Sequence, residues 1–440
     1  MPRTILHLDL DAFFCAVEET RTPSLRGKAF AVGGRPDERG VVSSCSYPAR
    51  ALGVRSAMPT SRALRLCPGL IIVPPRHRLY SEVSKQVMEK LGGLTPLLEQ
   101  ISIDEAFLDL SDLRGSPERI ARDLQAGIRD ELGLSSSIGI ASNKLVAKIA
   151  TEVGKKAALN RGSSSRAAAY RDPQRCPEPV EGSKDESAGP SASGLDTAST
   201  SARPTRPSPP AAPPFALTIV PPGEEEAFLA PLPADMLWGV GPKTAARLAS
   251  LGLHTIGDIA SWPESNLISL FGENGRDLSR HARGIDERPV ATEHETKSIS
   301  QEVTFSRDVR DDKTLEKTLR EQSAEVAKQL RKNDLAGKTV KLKLRWPDFT
   351  TLTRQSTLPQ PSDQEAEIVS AALALLRSVR RSGQPVRLIG VGVSGLGPPV
   401  RQLSLWDDGG EKSRKLQEAV DALQERYGAE AIHRGTHVDT

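Results

Sequence analysis

Aromatic residues, cysteines and long apolar runs are all scarce in this sequence, and their scarcity excludes several classes of protein. Only 4% of the 440 residues are aromatic while 38% are hydrophobic, which is enough for the ordinary cores of two to four domains. No run of about eighteen apolar residues and no charged-then-apolar leader is present, so we expect a cytoplasmic protein without a membrane span. The four cysteines, Cys15, Cys45, Cys67 and Cys176, lack the spacing of a metal site and fit reduced thiols.

The chain as a whole has almost no excess of positive over negative charge, but one region is clearly basic. The net charge is +3, which by itself hardly indicates a nucleic-acid partner. Between Lys297 and Gly390, however, there are 18 Lys and Arg residues against 12 Asp and Glu residues, a surplus of six. A basic region of this size fits a surface that tracks phosphates, and a merely solvated basic domain is the alternative.

Two short acidic strings carry the strongest chemical signal. One is Ile5–Asp11, which contains Asp9, and the other is Ile101–Asp109, which contains Asp104 and Glu105. Each string reads as a strand, because apolar residues alternate before the acids. If these strands pair side by side, the three acids lie together at one edge of a sheet.

Three carboxylates in one place would repel one another unless cations lay between them. Oxygen ligands of this kind suit Mg²⁺, which also accepts substrate phosphates as ligands. Two such ions, roughly 3.5–4 Å apart, clamp the attacking and leaving oxygens of a phosphoryl displacement. The strings therefore indicate phosphoryl or nucleotidyl transfer, and the alternative is that strand-end acids only form turns.

Further motifs accompany the two strings in a fixed order. The pattern D-x-D-x-F-F-x-x-V-E begins at Asp9, Tyr47–Arg50 reads Y-x-A-R, and Ser102–Ala106 reads S-I-D-E-A. This series resembles the Y-family DNA polymerases, most closely the bacterial DNA polymerase IV branch. The resemblance extends over residues 1–158 and 217–440.

The resemblance implies an α+β multidomain fold shaped like a right hand. The palm would be a ferredoxin-like layer of residues 1–10 and 77–158, to which the chain returns at 217–222. Small fingers (11–76), a helical thumb with a helix-hairpin-helix motif (223–295) and an α/β little finger domain (296–398) would complete the hand. A clamp-binding peptide (399–408) and a partly helical C-terminal tail (409–440) would follow.

The same resemblance assigns the catalytic acids. Asp9 and Asp104 would bridge two Mg²⁺ ions, and Glu105 would hold the ion that activates the primer 3′-hydroxyl. The backbone carbonyl of Leu10 would be a further ligand. No side-chain base is required, because the metal itself lowers the pKa of the hydroxyl.

The incoming triphosphate would be gripped by Ser44, Tyr47, Arg50 and Lys155. A guanidinium suits this role because it makes two parallel charge-assisted bonds. Lys155 stands where the family has a lysine-proline-asparagine-glycine string, which is degraded here to Lys-Lys-Ala-Ala, so Lys156 is its rival.

Two adjacent aromatic residues receive different roles. By resemblance Phe14 is the steric gate, whose ring leaves no room for a 2′-hydroxyl and so rejects ribonucleotides by collision. Phe13 is expected to be an ordinary core residue.

The thumb and the little finger would hold the DNA. Gly239 and Gly241 form a G-V-G turn before a helix that carries Lys243, and free N–H groups at a helix start favour a phosphate. Lys297 and Ser298 open the little finger.

The string from 339 to 345 predicts a two-faced strand in the little finger. In a strand, Lys341, Lys343 and Arg345 lie on one face. The opposite, apolar face would pack on helices; it comprises Val340, Leu342 and Leu344. The alternative is an exposed edge strand that lysines protect against aggregation.

Near the end, Arg401–Asp407 resembles the peptide that docks on the bacterial β sliding clamp. Leu405 and Trp406 would enter an apolar groove while Gln402 fixes the orientation. In the tail, helical spacing links four residues: Leu416, Val420, Leu423 and Tyr427.

Residues 159–216 interrupt the resemblance. Between Ser187 and Pro214, 24 of 28 residues are Ser, Thr, Ala, Gly or Pro, a composition that cannot bury a core and predicts disorder. We expect an inert insertion, which costs little closure entropy, and the alternative is a regulatory or partner-binding segment.

The resemblance implies a template-directed DNA polymerase for translesion synthesis, of low fidelity and without a proofreading exonuclease. Its partners would be primer-template DNA, a deoxynucleoside triphosphate and the β clamp, and it would act as a monomer. Two other classes remain as alternatives. They are a different metal-dependent nucleotidyl transferase such as a cyclase, and a catalytically silent DNA-binding accessory that the clamp recruits.

Overall fold

The computed structural model describes residues 3–166, 216–293 and 295–399, together with seven helical residues between 416 and 427. The chain divides into two compact units, which are residues 1–36 with 40–293 and residues 37–39 with 294–440. None of the helices in the described part is both long and apolar enough to cross a bilayer.

The first unit begins with an alternation of strands and helices. In chain order these are β1 (Ile5–Leu10), α1 (Phe13–Arg21), a 3₁₀ helix (Pro23–Leu25), β2 (Phe30–Gly33), β3 (Val42–Cys45), α2 (Tyr47–Ala51), α3 (Thr60–Leu66), β4 (Ile71–Val73), α4 (His77–Gly92), β5 (Leu98–Gln100), β6 (Glu105–Asp109), α5 (Pro117–Leu132), β7 (Ser136–Ala141) and α6 (Lys144–Arg166).

The rest of the first unit is mainly helical. It comprises β8 (Leu217–Ile219), α7 (Glu225–Leu229), a second 3₁₀ helix (Ala234–Met236), α8 (Pro242–Ser250), α9 (Ile256–Ser261), α10 (Glu264–Phe271) and α11 (Glu273–Ala282). A capping box starts α9, because Thr255 and Asp258 each accept a backbone N–H bond from the other.

A five-stranded sheet of order β5-β6-β1-β7-β8 forms the centre of this unit. Strand β1 is antiparallel to both β6 and β7, and β8 is parallel to β7. The order of its first four strands, with α4 and α5 as connections, is that of a ferredoxin-like layer, which confirms the predicted fold of the palm.

Strand β1 is buried on both faces, which the alternating pattern did not predict. Leu6, Leu8 and Leu10 pack into a core that α1, α4 and α5 share. On the opposite face, Ile5 packs with Phe107 and with apolar residues of α6. Helices therefore cover both sides of the sheet, and β1 exposes none of its residues to solvent.

The second acidic string is only partly a strand, so that prediction was wrong for its first four residues. Ile101–Asp104 form the turn between β5 and β6, and β6 begins at Glu105. The backbone N–H groups of Ile101 and Ser102 both donate to the carbonyl of Glu105, at 3.1 and 3.3 Å, and close this turn. Asp104 therefore lies in a hairpin connection, where the alternation of side chains between the two faces of a strand does not determine its direction.

Helix α6 packs very closely on the sheet because two glycines allow it. A Cβ atom at Gly139 of β7 would lie 2.0 Å from the carbonyl oxygen of Ala147, and one at Gly154 of α6 would lie 2.5 Å from the Thr218 hydroxyl. The helix continues to Arg166, beyond position 159 where the sequence predicted the insertion to begin.

A small three-stranded sheet of order β3-β2-β4 follows β1 in the chain. It has its own core, in which Cys45 and Cys67 are buried. Together with Cys15 they are buried thiols, as the sequence predicted.

The second unit is a four-stranded antiparallel sheet with two helices. Its elements are β9 (Ser298–Val309), α12 (Asp312–Lys332), β10 (Ala336–Arg345), β11 (Thr351–Ser362), α13 (Glu365–Val379) and β12 (Val386–Gly397), with strand order β11-β10-β12-β9. Both helices pack on one face of the sheet, against Val340, Leu342 and Leu344 of β10.

The two-faced strand that the sequence predicted in the little finger is β10. Its apolar face is buried, and Lys341, Lys343 and Arg345 lie on the opposite face. The edge-strand alternative is wrong, because β10 lies between β11 and β12. In the tail, the four residues with predicted helical spacing are all helical, and three of them are exposed: Leu416, Leu423 and Tyr427.

Candidate active site

The three predicted acids meet at one end of the central sheet. The register of β1 with β6 places Asp9 directly opposite Glu105. The backbone N–H of Leu10 donates to the carbonyl oxygen of Asp104 at 2.9 Å, which draws the β5–β6 turn onto the end of β1. The predicted pairing of the two acidic strings is therefore confirmed.

Each acid has its own partner in the protein. The ammonium of Lys155 lies 2.5 Å from Asp9 Oδ1, and that of Lys148 donates to Glu105 Oε2 at 2.8 Å. Asp104 accepts a hydrogen bond from the Ser102 hydroxyl at 2.6 Å. Both lysines belong to α6, so the close packing of this helix on the sheet brings the cations to the acids.

Burial and these cations act in opposite directions on the acids. Burial raises the pKa of Asp9 well above its ordinary value, although Lys155 opposes this effect. For Glu105 burial also acts to raise the pKa, but the hydrogen bonds from Lys148 and Asp9 and the charges of Lys148 and Lys155 together outweigh it, and the pKa is lowered. A negative charge on Asp9 is thus costly unless a cation lies against it.

Asp11 holds the end of β1 in place. Its carboxylate is buried and accepts hydrogen bonds from the hydroxyls of Ser135 and Ser137, at 2.8 and 2.9 Å. Burial raises its pKa despite the nearby Lys155 ammonium. Ser135 immediately precedes β7 and Ser137 is its second residue, so Asp11 ties the end of β1 to this strand.

The donor set at the sheet end fits a hard divalent cation, although its side chains are not yet gathered around one point. Within the described residues, no three His, Cys, Asp or Glu side chains converge closely enough to count as a formed metal cluster. The oxygens of Asp9, Asp104 and Glu105 are engaged instead by Lys155, Ser102 and Lys148. Carboxylate and carbonyl oxygens, without nitrogen or sulfur donors, are the ligand chemistry of Mg²⁺.

A cleft of about 430 Å³ opens beside the acids. Its walls include eight of the predicted site residues and the rival lysine: Asp9, Leu10, Phe14, Ser44, Tyr47, Arg50, Asp104, Lys155 and Lys156. Residues from β1, α1, the small sheet, α2, the β5–β6 turn and α6 therefore face one space.

The small sheet and α2 supply the hydroxyl and guanidinium groups of this cleft. Ser46 caps α2, since its side chain accepts a bond from the N–H of Ala49, and this places Tyr47 and Arg50 one turn apart. The Arg50 guanidinium lies 5.5 Å from the centre of the Tyr47 ring, and its Nε donates to the carbonyl of Cys45. Burial raises the pKa of Tyr47 far above its usual range, so its phenol stays a neutral donor.

Phe14 forms another part of the cleft wall. Its ring is stacked on Tyr80 of α4, with ring centres 4.2 Å apart and planes inclined by 14°. The Tyr80 hydroxyl donates to Glu18 at 2.6 Å, and Glu18 is paired with Arg76. Phe13 points into the core instead, with 2% of its surface exposed, as predicted.

Lys148 and Trp238 are candidate functional residues that the sequence analysis missed. The Trp238 ring lies 5.8 Å from the Lys148 ammonium and 4.6 Å from the Arg288 guanidinium, and it contacts Phe107. One signal was available, because Lys148 and Lys155 are seven residues apart and therefore share a face of α6.

None of the other predicted DNA-binding residues lines the cleft; Lys343 and Arg345 are half-buried, and the rest are exposed. Gly239 has a φ of +98°, Gly241 precedes the first residue of α8, and a Cβ at either position would meet no other atom. Lys243 is exposed in the first turn of α8. In the second unit, Lys297 precedes β9 and Ser298 begins it. The clamp-peptide residues Gln402, Leu405 and Trp406 lie outside the described residues.

Comparison with known proteins agrees with this arrangement. The chain matches the impB/mucB/samB family over residues 8–152 and the C-terminal domain of that family over residues 296–405. It is 37% identical to DNA polymerase IV of Desulfatibacillum aliphaticivorans over 435 residues, which are 97% of this chain and 95% of that protein. It is 40% identical to DNA polymerase IV of Streptomyces coelicolor over 400 residues, 89% of this chain and 71% of that protein.

Solved structures show the same fold. A Y-family DNA polymerase chimera of Dbh superimposes with a TM-score of 0.69 at 24% identity, and 90% of this chain and 100% of that chain are covered. DinB from Sulfolobus solfataricus gives a TM-score of 0.54 at 25% identity, with 89% and 98% covered. The chain belongs to the impB/mucB/samB family of Y-family DNA polymerases, in the DNA polymerase IV branch, and is a DNA-directed DNA polymerase.

Proposed function

We propose that this chain adds deoxynucleotides to a primer 3′ end opposite damaged template bases, with two Mg²⁺ ions in its active site. The observation that supports this most directly is the meeting of two groups of residues at one cleft. Asp9 and Asp104 line it from the sheet end, and Phe14, Tyr47 and Arg50 line it from α1 and α2. A nucleotide in the cleft can therefore meet both carboxylates and a phosphate-binding cation.

Asp9, Asp104, Glu105 and the carbonyl of Leu10 would hold the ions, and their hard oxygen atoms suit that task. Bound there, the ions would supply charge neutralisation at the triphosphate and a lowered pKa at the primer hydroxyl. Lys148 would act as a positioning residue, because its bond to Glu105 fixes the direction of that carboxylate. Its ammonium is itself held over the Trp238 ring.

The protein's own cations would orient the triphosphate. Arg50, with the hydroxyls of Tyr47 and Ser44, lines the cleft from α2 and β3, and Lys155 lines it from α6. Charge-assisted bonds from these groups fix the phosphates without requiring a proton transfer from the protein. Lys156 also lines the cleft but is exposed, and no ion pair is seen for it among the described residues. We therefore assign the triphosphate contact to Lys155.

We further propose that the exposed turn at Gly239–Lys243 and the basic face of β10 bind the backbone of primer-template DNA. The open space around both glycines leaves room for a phosphate at the start of α8. Gln402, Leu405 and Trp406 would dock on the β sliding clamp. The protein would act as a cytoplasmic monomer.

Low fidelity and the absence of proofreading are also part of the proposal. Short elements contribute the phosphate-binding groups of the cleft, since α2 has five residues and β3 has four. A small surface of this kind can test the shape of a new base pair only weakly. Extension from a mismatched primer, without any removal of the mismatched nucleotide, is the expected behaviour.

The test is primer extension with Mg²⁺ over an intact, an abasic and a minor-groove-adducted template. Asp104→Ala and Glu105→Ala should each abolish synthesis on all three templates. Asp112→Ala is the control, because this exposed carboxylate lies beyond the other end of β6. Full activity of either active-site variant would overturn the assignment, and activity without a primer-template would favour a different nucleotidyl transferase.

A further inference from the structure

The exposed face of the second unit's sheet is organised in rows of residues that lie directly opposite one another. In one row, Glu302 of β9 faces Gly390 of β12, which in turn faces Lys343 of β10. In the next row, Ser300 faces Gly392, which faces Lys341. The two glycines form the floor of a trough of about 200 Å³ between β9 and β10.

In the first row an ion pair spans the trough. The Lys343 ammonium lies 2.6 Å from Glu302 Oε2, although their strands are separated by β12. Two strand spacings amount to roughly 9.5 Å, so both side chains must extend over Gly390. A Cβ atom at Gly390 would lie 2.7 Å from the Cβ of Glu302, which shows how closely the row is packed. Glycine within a strand often marks such a close approach.

The second row has the same geometry without the acid. Lys341 is exposed, and within residues 295–399 no carboxylate pairs with it. Ser300 offers only a hydroxyl across Gly392. Of the two lysines on this face of β10, Lys343 therefore has an internal counterion and Lys341 has none among residues 295–399.

This counterion contributes little to folding. The side chains of Lys343 and Glu302 are 36% and 50% exposed, and exposed pairs of this kind add little stability because water and salt screen them. A phosphate that approaches along the trough would meet the Lys343 ammonium and the Glu302 carboxylate together. It must replace the carboxylate as the partner of that lysine.

We propose that Glu302 sets the affinity of this face for nucleic acid by competing with a backbone phosphate for Lys343. This inference rests on the proposed binding of DNA by the basic face of β10. Lys341 binds phosphate without competition, whereas Lys343 contributes only after the ion pair with Glu302 has opened. The chain thereby holds DNA less tightly than its lysines alone would allow, which favours frequent release.

The test measures binding of the full chain to a fluorescent primer-template duplex at several salt concentrations, without nucleotide. Glu302→Gln should steepen the slope of log affinity against log salt by about 0.9, the contribution of one phosphate contact. Near 0.1 M salt the affinity should rise about five- to ten-fold. The double variant Glu302→Gln with Lys343→Gln should return to the slope of the unaltered protein.

Two controls separate this inference from its alternatives. Glu316→Gln removes an acid of the same unit that is also in an ion pair, with Arg377 at 3.1 Å, but on α12 instead of the trough. It should leave the slope unchanged, so a similar gain there would reduce the effect of Glu302 to net charge. An unchanged or flatter slope for Glu302→Gln overturns the competition.

Lys341→Gln tests the face itself. It should flatten the slope by about 0.9, because this lysine is not paired. If Lys341→Gln has no effect, the binding of DNA by this face fails, and with it the proposed function of β10. If Lys341→Gln weakens binding while Glu302→Gln does not strengthen it, only the role of Glu302 fails.

Discussion

At the scale of single residues, sugar discrimination depends on how firmly Phe14 is held. Its ring is stacked on Tyr80, which is fixed in turn by its bond to Glu18. A ring supported in this way cannot retreat from an added hydroxyl. Phe14→Ala should therefore admit ribonucleotides and lower the discrimination against them by about two orders of magnitude, with deoxynucleotide insertion retained. Single-nucleotide extension with matched ribo- and deoxynucleotides measures this ratio.

Phe13→Leu is the matched control for Phe14→Ala. Phe13 also lines the cleft, but its side chain is 2% exposed and packs in the core beside Phe14. The change to Leu should therefore reduce stability without changing sugar choice. If Phe14→Ala discriminates as well as the unaltered protein, the steric-gate role must be given up.

The two neighbouring lysines of α6 allow a second test. Lys155 contacts Asp9 and is largely buried, whereas Lys156 is exposed. Lys155→Gln should raise the KM for the incoming nucleotide on the order of ten- to a hundred-fold, the value of a charge-assisted hydrogen bond. Lys156→Gln removes the same charge and should change KM far less. Steady-state kinetics with each variant measure this, and the reverse ranking would transfer the role to Lys156.

The sequence predicted which residues come together at the cleft better than how they are held. Asp9, Asp104 and Phe14 stand in recognisable strings, and all three line the cleft. Lys148 was missed because its partner, Glu105, is 43 positions away and comes near only through the packing of α6 on β7. Contacts of this kind depend on tertiary structure, which a local pattern does not contain.

At the scale of elements, the segment after α11 is anchored to the start of α6 by one buried carboxylate. Asp286 accepts bonds from Nε and Nη2 of Arg288, at 2.7 and 2.9 Å, and from the backbone N–H of Leu145 at 3.1 Å. A carboxylate at a helix start also interacts favourably with the helix dipole. Asp286→Asn should lower the free energy of unfolding by about 2 kcal/mol at pH 7.

The pH dependence of this effect has a definite sign. Burial acts to raise the pKa of Asp286, but the hydrogen bonds from Arg288 and the charges of Arg288 and His281 together outweigh it, and the pKa is lowered. A lowered folded-state pKa gives stability that is complete above the unfolded-state value, near 4, and is lost as the pH falls through the folded-state value. The gap in unfolding midpoint between the unaltered protein and Asp286→Asn should therefore narrow in acid. Asp277→Asn, at an exposed position of α11, should have the same unfolding midpoint as the unaltered protein both at pH 7 and in acid.

The elements themselves were predictable where one face of a strand meets solvent. Strand β10 alternates between buried leucines and basic residues, so its pattern gave both faces correctly. Strand β1 could not be interpreted in this way, because helices cover both of its faces and even Asp9 is buried. The turn at Ile101–Asp104 was mistaken for strand because its backbone bonds to Glu105 leave no trace in the order of apolar residues.

At the scale of the whole molecule, the long insertion interrupts a unit that is closed on either side of it. Gly154 of α6, which precedes the insertion, lies against Ala216 and Thr218, which follow the insertion. After it, β8 pairs with β7, and the Gln125 amide donates to the carbonyl of Ala216 at 3.0 Å. The two ends are thus held by contacts that do not involve residues 167–215.

A short linker should therefore replace these residues without loss of function. Helix α6 ends at Arg166, twelve residues after Gly154, so its end lies roughly 18 Å from the start of β8. Ten Gly and Ser residues, which reach up to about 33 Å, can return the chain over that distance. We expect the shortened protein to keep its thermal midpoint and its primer-extension rate. A two-residue linker, too short for this path, should lower both. If the ten-residue variant keeps its midpoint but loses extension, the segment takes part in function, and the regulatory alternative replaces the inert one.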